Sequence, residues 1–198
     1  MKILMTGFKP FLGQKLNPSE WLVQEIQKKD PSVRVLVLPV EFGKSFEVLK
    51  NIINEETPDF LIMLGQAAGR RNVCLEKIAL NWVQSRNKDE AGFLPTTGPI
   101  VKDSELAMMT SFPVDQIFAY LIENKQPVEI SFSAGTYVCN ELYYHALSQF
   151  KKLKSVFVHV PLLPEQLGVD DIRPSMKSDQ QLLVVESIVK GLRKITQT

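Results

Sequence analysis

Apolar residues fall along the chain in short dense runs, separated by stretches where they recur every three or four positions. The runs Lys2 to Thr6, Val33 to Val40, Asp59 to Gly65, Val128 to Phe132 and Ser155 to Val160 are rich in Ile, Val, Leu and Phe. Each is closed by Gly, Pro or Ser, and they predict buried strands. Helical spacing covers Pro18 to Lys29, Gly43 to Glu56, Val114 to Lys125, Thr136 to Lys152 and Ser178 to Ile195. Asn17 suits the N-cap of the first helix, with Pro18 at the position where no N–H is needed. Phe46, Leu49 and Ile53 share one face of the second, as a helix laid on a sheet requires.

This alternation predicts a three-layer α/β/α fold, with helices on both faces of a twisted, mostly parallel mixed sheet. In such sheets ligands bind beyond the carboxyl ends of the strands. Two stretches depart from the alternation. Val73 to Trp82 has the period of a single strand and predicts an antiparallel hairpin projecting from the main sheet. Asn87 to Asp103, with Gly92, Pro95, Gly98 and Pro99, is long and aperiodic and reads as a functional loop. No linker or repeat interrupts the sequence, so residues 1–198 are expected to form one domain.

Composition narrows the function classes. Of 198 residues, 44% are apolar and 23% charged, which suits a globular chain with a substantial core. The 23 basic and 22 acidic residues leave a net charge of +1, and the basic ones form no block, so nucleic acid is not an expected partner. No apolar run approaches the roughly 18 to 20 residues of a membrane span. Met1 to Gly7 lacks the apolar region of a signal peptide and reads as a first strand. A cytoplasmic location with free thiols is the matching expectation. Cys74, Cys139, His145 and His159 do not stand in metal-ligand spacing, so no metal is expected. Gly65 to Arg70 lacks the dinucleotide-binding glycine spacing and Gly7 to Lys15 the phosphate-loop ending, so no cofactor is expected either.

Chemistry concentrates in three places. Cys139 follows the strand Val128 to Phe132 at the start of a helix, where the dipole and free N–H groups lower a thiol pKa and can hold an oxyanion. The competing reading is an inert buried thiol. His159 ends a strand just before Pro161, and it and Cys139 close neighbouring strand units, which favours a Cys–His pair. His145 lies six residues after Cys139, about 240° away around a helix, and points elsewhere. Glu76 sits in a largely apolar strand, where an unpaired carboxylate is costly. It could orient an imidazole, join a salt bridge or face outward.

These segments together resemble the pyroglutamyl peptidase I family, the pyrrolidone-carboxylate peptidases. The resemblance runs through Thr6 to Phe11, Asn17 to Ser19, Gly65 to Arg70, Glu76 to Asn81, Arg86, Gly135 to Asn140, Phe157 to Pro161 and Pro164 to Gln166. It implies a cysteine peptidase that removes N-terminal pyroglutamate from peptides, with Glu76, Cys139 and His159 as the catalytic residues. It further implies that Phe8 and Phe11 line an apolar pocket for the pyrrolidone ring, that the Gln66 region contacts the lactam, and that Arg86 lies beside the reacting carbonyl. Bacterial relatives that form tetramers make a homotetramer the implied assembly. Lys9 and Leu12 depart from the small or acidic residue and the glycine common in relatives. A cysteine amidase for another cyclic or acyl amide, and a non-catalytic small-molecule binder on the same fold, are the alternatives.

Overall fold

The computed structural model describes residues 1–197. The first apolar run forms β1 (Ile3–Phe8), two residues longer at its carboxyl end than the hydrophobic run predicts, and every residue in it is buried. β1 lies between β2 (Val33–Leu38) and β3 (Phe60–Gln66), parallel to both. β8 (Lys154–Val160) continues the parallel set on β3 and brings His159 opposite Gly65. Between β1 and β2 runs α1 (Pro18–Lys29), capped by Asn17, whose side chain accepts from the Ser19 N–H at 3.0 Å. The helix start is pressed onto β1. A Cβ on Gly7 would lie 2.3 Å from the Ser19 carbonyl oxygen, so only glycine permits this approach. Ser19 Oγ accepts from the Phe8 N–H at 3.0 Å and fixes where β1 ends.

Side chains alternate between two cores, as strand geometry demands. Ile3, Met5, Ile62, Val158 and Val160 pack with α1, α3 (Val114–Glu123) and α5 (Ser178–Thr196). Leu4, Leu61, Met63 and Phe157 pack with α2 (Lys44–Glu56) and α4 (Val138–Gln149). Both faces of the sheet are thereby covered, as the sequence predicts. Leu4 and Leu61 are fully buried, and truncating either to Ala would cost about 2 to 5 kcal/mol.

The expected single strand Val73 to Trp82 is in fact two. β4 (Val73–Glu76) belongs to the main sheet, antiparallel to β8 and parallel to β7 (Val128–Ser131), giving the order β2-β1-β3-β8-β4-β7. β5 (Ile78–Leu80) pairs antiparallel with β6 (Ala107–Met109) in a separate two-stranded sheet. The transfer happens at Lys77. Its N–H donates to Ser131 O in the main sheet at 2.7 Å, and its carbonyl accepts from Thr110 N next to β6 at 3.0 Å. Period-two alternation is the same in either sheet, so it carries no mark of a change of partner. The hairpin is present, but its outer residues Leu106 and Met109 come from beyond the aperiodic loop and are exposed.

Candidate active site

Strand registers bring the polar candidates to one face of the sheet. Glu76 pairs with Phe157 and Cys74 with His159 across β4 and β8, so Glu76 and His159 sit two residues apart on the α4 side. Glu76 is fully buried, and its Oε1 lies 2.8 Å from His159 Nδ1. Of the readings the sequence left open for Glu76, this is the imidazole partner. Its Oε2 has no hydrogen-bond partner among the described residues. Arg70 Nη2 stands 3.8 Å from Oε1 and donates to Ser131 Oγ at 3.1 Å, while Nη1 is 3.7 Å from Glu129. Tyr143 donates to the Glu76 backbone carbonyl at 2.9 Å, tying the end of β4 to α4.

Cys139 is the second residue of α4, where the orphan N–H groups of the first turn lie. The helix starts at Val138 rather than Thr136, after a turn in which Gly135 takes φ of 80°. Asn140 anchors it from the other side. Its Oδ1 accepts from Leu80 N at 2.9 Å, and its Nδ2 donates to Leu80 O at 2.8 Å and Trp82 O at 3.0 Å. The sulfur rests over Gly65, where a Cβ would come within 3.1 Å of Sγ and 2.7 Å of the Phe157 ring. Gly65 is also the register partner of His159, so Cys139 and His159 converge on this point. They do not come from adjacent strands as expected. β4 separates β7 from β8, and β7 runs against the four parallel strands, so Cys139 reaches the site by the turn that follows an opposed strand.

The electrostatics at the sulfur also correct an expectation. Burial pushes the Cys139 thiol up to about 12, the Glu76 carboxylate adds to the rise, and the Cys139 backbone N–H opposes it. Helix-start amides are therefore outweighed by loss of solvent and a nearby negative charge. A thiol raised in this way calls for a base beside it.

Cys139 and His159 face a cavity of about 620 Å³, and Phe8, Phe11, Gln66 and Arg86 all line it as well. Phe8 is buried in the wall, Phe11 partly buried, and Arg86 exposed. One wall is the segment after β5, which is pinned at several points. Gln84 N donates to Thr136 O at 3.0 Å, and Thr136 Oγ1 donates to Gln84 O at 2.7 Å. Tyr137 donates to Lys88 O at 3.0 Å, and Glu90 Oε1 accepts from Leu12 N at 2.8 Å. The aperiodic loop thus starts as part of the cavity wall. A larger hollow of about 1060 Å³ at the amino ends of β3 and β8 contains none of the candidates.

His145 and Cys74 stay outside the chemistry. His145 stacks on Phe46 at 4.8 Å, and burial, reinforced by Lys50, lowers its pKa. Cys74 is fully buried, donates to Glu129 Oε1 at 3.0 Å, and is held far toward the neutral thiol chiefly by that burial. Sequence reasoning gave no role to Arg70, Asn140, Gln14 or Gln166, which all contact site elements. Arg70, Asn140 and Gln166 end the quoted motifs, which is the one signal the sequence offered. Among the described residues no group of three or more His, Cys, Asp and Glu is placed to hold a metal ion, and no helix is long and apolar enough to cross a membrane.

Comparison with known proteins identifies the family. The family model described as pyroglutamyl peptidase matches residues 1–195. A pyrrolidone-carboxylate peptidase of Thermosipho africanus is 36% identical, covering 98% of this chain and 97% of the relative. The crystal structure of pyrrolidone carboxyl peptidase from Fervidobacterium islandicum superposes with a TM-score of 0.90 at 35% identity, covering 97% of this chain and 98% of that one. Pyroglutamyl peptidase I of Bacillus amyloliquefaciens gives 0.86 at 30% identity, over 94% and 93% of the two chains. With residues 1–195 matched by the family model and relatives at 35 to 36% identity covered almost end to end, the chain belongs to the pyroglutamyl peptidase family of cysteine-type peptidases.

Proposed function

We propose that this chain hydrolyses the bond after an N-terminal pyroglutamyl residue, with Cys139 as nucleophile, His159 as base and then acid, and Glu76 as the group that orients the imidazole. The observation that carries this reading is the 2.8 Å contact between His159 Nδ1 and a fully buried Glu76, on the cavity that Cys139 lines. A carboxylate accepts only, so the Nδ1 proton points at Glu76 and Nε2 is left bare to take a proton. His159 removes the Cys139 proton as sulfur attacks the carbonyl joining pyroglutamate to the next residue. The oxyanion accepts from the Cys139 N–H at the start of α4, and Arg86 supplies positive charge beside it; one such donor is worth about 3 to 4 kcal/mol. His159 then gives its proton to the leaving amine, and a water deprotonated by the same imidazole cleaves the thioester. Glu76 stabilises the imidazolium in both halves without taking the proton itself.

Phe8 and Phe11 supply apolar walls for the ring, and Gln66 a polar contact for its lactam. A free ammonium placed against those walls would lose its water without a partner, which disfavours ordinary peptide termini. Both thiols are free, which suits a reducing cytoplasm as the working compartment. The test is release of a fluorogenic amine from a pyroglutamyl amide. Wild type is expected to be active and Cys139→Ala to be inert. Wild-type turnover no higher than that of the variant across neutral pH removes the peptidase reading.

A further inference from the structure

The buried carboxylate that faces the imidazole has a second neighbour of opposite charge. Glu76 pairs in register with Ser131 and Cys74 with Glu129, so β4 and β7 present two successive rungs on the α4 side of the sheet. The Arg70 guanidinium lies across both. At one rung Nη1 stands 3.7 Å from Glu129, whose Oε1 accepts from Cys74 Sγ at 3.0 Å. At the other, Nη2 donates to Ser131 Oγ at 3.1 Å and to Ser133 O at 3.4 Å. It also stands 3.8 Å from Glu76 Oε1, the atom that faces His159 Nδ1. Among the described residues no other Lys or Arg forms an ion pair with Glu76. The remaining titratable groups that face the Glu76–His159 pair are Cys74 on β4, Cys139 and Tyr143 on α4 and Glu129 on β7. Burial holds the two thiols and the phenol toward their neutral forms. Arg86 and Arg173, also on the cavity, are exposed and screened by solvent. The charges left to act on the pair are those of Arg70 and Glu129.

A carboxylate 2.8 Å from an imidazole and out of water favours the charged ring. An imidazolium at rest cannot take the Cys139 proton. We propose that Arg70 is a positioning residue for the base: its charge offsets part of that of Glu76, so that His159 rests neutral with Nε2 bare. This inference rests on the Cys139–His159–Glu76 reading of the site and deepens it. At 3.8 Å the guanidinium is beyond hydrogen-bond distance of Glu76, so it leaves the Oε1 lone pairs to Nδ1 and acts by charge alone. Its bonds to Ser131 and Ser133 and its attraction to Glu129 hold it at that distance.

Arg70→Gln removes the charge and keeps a polar side chain at the turn, whereas Arg70→Lys keeps the charge and loses the fork. In Arg70→Gln the ring keeps its proton to higher pH. Its kcat/KM on a pyroglutamyl amide is expected to fall about three- to tenfold below wild type on the acid limb and to agree within about twofold on the plateau. Arg70→Lys should follow the wild-type limb. Glu129→Gln removes the anion that draws on the guanidinium, so its acid limb should move the other way, with activity there about twofold above wild type. That variant decides the matter if Arg70→Gln does not fold. The chain has two histidines, so imidazole proton resonances, assigned with His145→Gln, report the charge on His159 without substrate. They too should show His159 charged to higher pH in Arg70→Gln. An acid limb and a His159 resonance that do not move in Arg70→Gln overturn the inference. An equal loss of kcat in the Gln and Lys variants at every pH also overturns it, since it marks only a tie of the turn before α4. A wild type inactive on the amide removes the substrate reading alone, because the His159 resonance still decides this inference.

Discussion

Replacing Glu76 by Gln keeps the shape of the buried side chain and removes its charge, which separates what the carboxylate does for the imidazole from what it does to the thiol. With Oε1 2.8 Å from His159 Nδ1, the charge centres of a carboxylate and an imidazolium are about 4 Å apart, worth about 4 kcal/mol at an effective dielectric of 20. An amide oxygen in the same place still accepts a neutral hydrogen bond, which retains about 1 kcal/mol. The difference of about 3 kcal/mol falls on the steps where His159 is protonated and lowers kcat on the order of 100-fold. Should the amide present its NH2 to Nδ1, the ring proton moves to Nε2 and the base is lost altogether, a deeper defect of about 10⁴-fold in comparable triads. The thiol responds in the opposite sense, because Glu76 is the second cause that raises Cys139. In a His159→Ala background, where no imidazole shares the proton, Glu76→Gln is expected to shift the onset of Cys139 alkylation to lower pH. The assays are kcat and KM on a pyroglutamyl amide and the pH dependence of iodoacetamide labelling. A kcat within about threefold of wild type, or an alkylation profile that does not move, refutes the reasoning.

Iodoacetamide at mildly alkaline pH is expected to label Cys139 and abolish activity while sparing Cys74, which is fully buried; peptide mapping that finds Cys74 modified first contradicts the assignment. Gly65→Ala places a Cβ within 2.7 Å of the Phe157 ring and 3.1 Å of the Cys139 sulfur. It should cost about 1 to 3 kcal/mol of stability through overpacking and lower kcat more than it raises KM, so an unchanged kcat shows that the sulfur does not depend on this clearance. Because the Cys139 thiol is raised from 9.0 to about 12, the unfolded chain loses that proton first. The stabilisation is complete below pH 9.0 and is lost as pH rises toward 12. Cys139→Ser should flatten the alkaline fall in denaturation free energy, and an unaltered slope refutes the linkage.

The periodic parts of the chain announced themselves. Helices over Pro18 to Lys29 and Ser178 to Ile195, and strands ending near Gly65 and Val160, follow from hydrophobic spacing, because burial on a sheet face leaves that imprint. The break at Lys77 left none, since the alternation on both sides has the same period although the partners differ. Glu76 stood out as a carboxylate in an apolar strand, and its partner His159 as an imidazole at a strand end. That they meet depends on the register between β4 and β8, which no local pattern encodes. The thiol pKa was misjudged for a related reason. A helix start is visible in sequence, whereas the enclosure of a sulfur by Gly65 and Phe157 and its proximity to Glu76 arise only on folding.

Asn140 makes the placement of the sulfur depend on the smaller sheet as well as the larger one. The residue beside Cys139 is tied through its amide to Leu80 and Trp82, on a two-stranded ladder that packs on α4 through the fully buried Ala79. Two-stranded ladders are marginal by themselves and need packing against a helix. Helix and ladder therefore hold one another, and the start of α4 keeps its place only with the ladder beneath it. The six-stranded sheet alone does not place the sulfur, which depends equally on a small ladder standing apart from it.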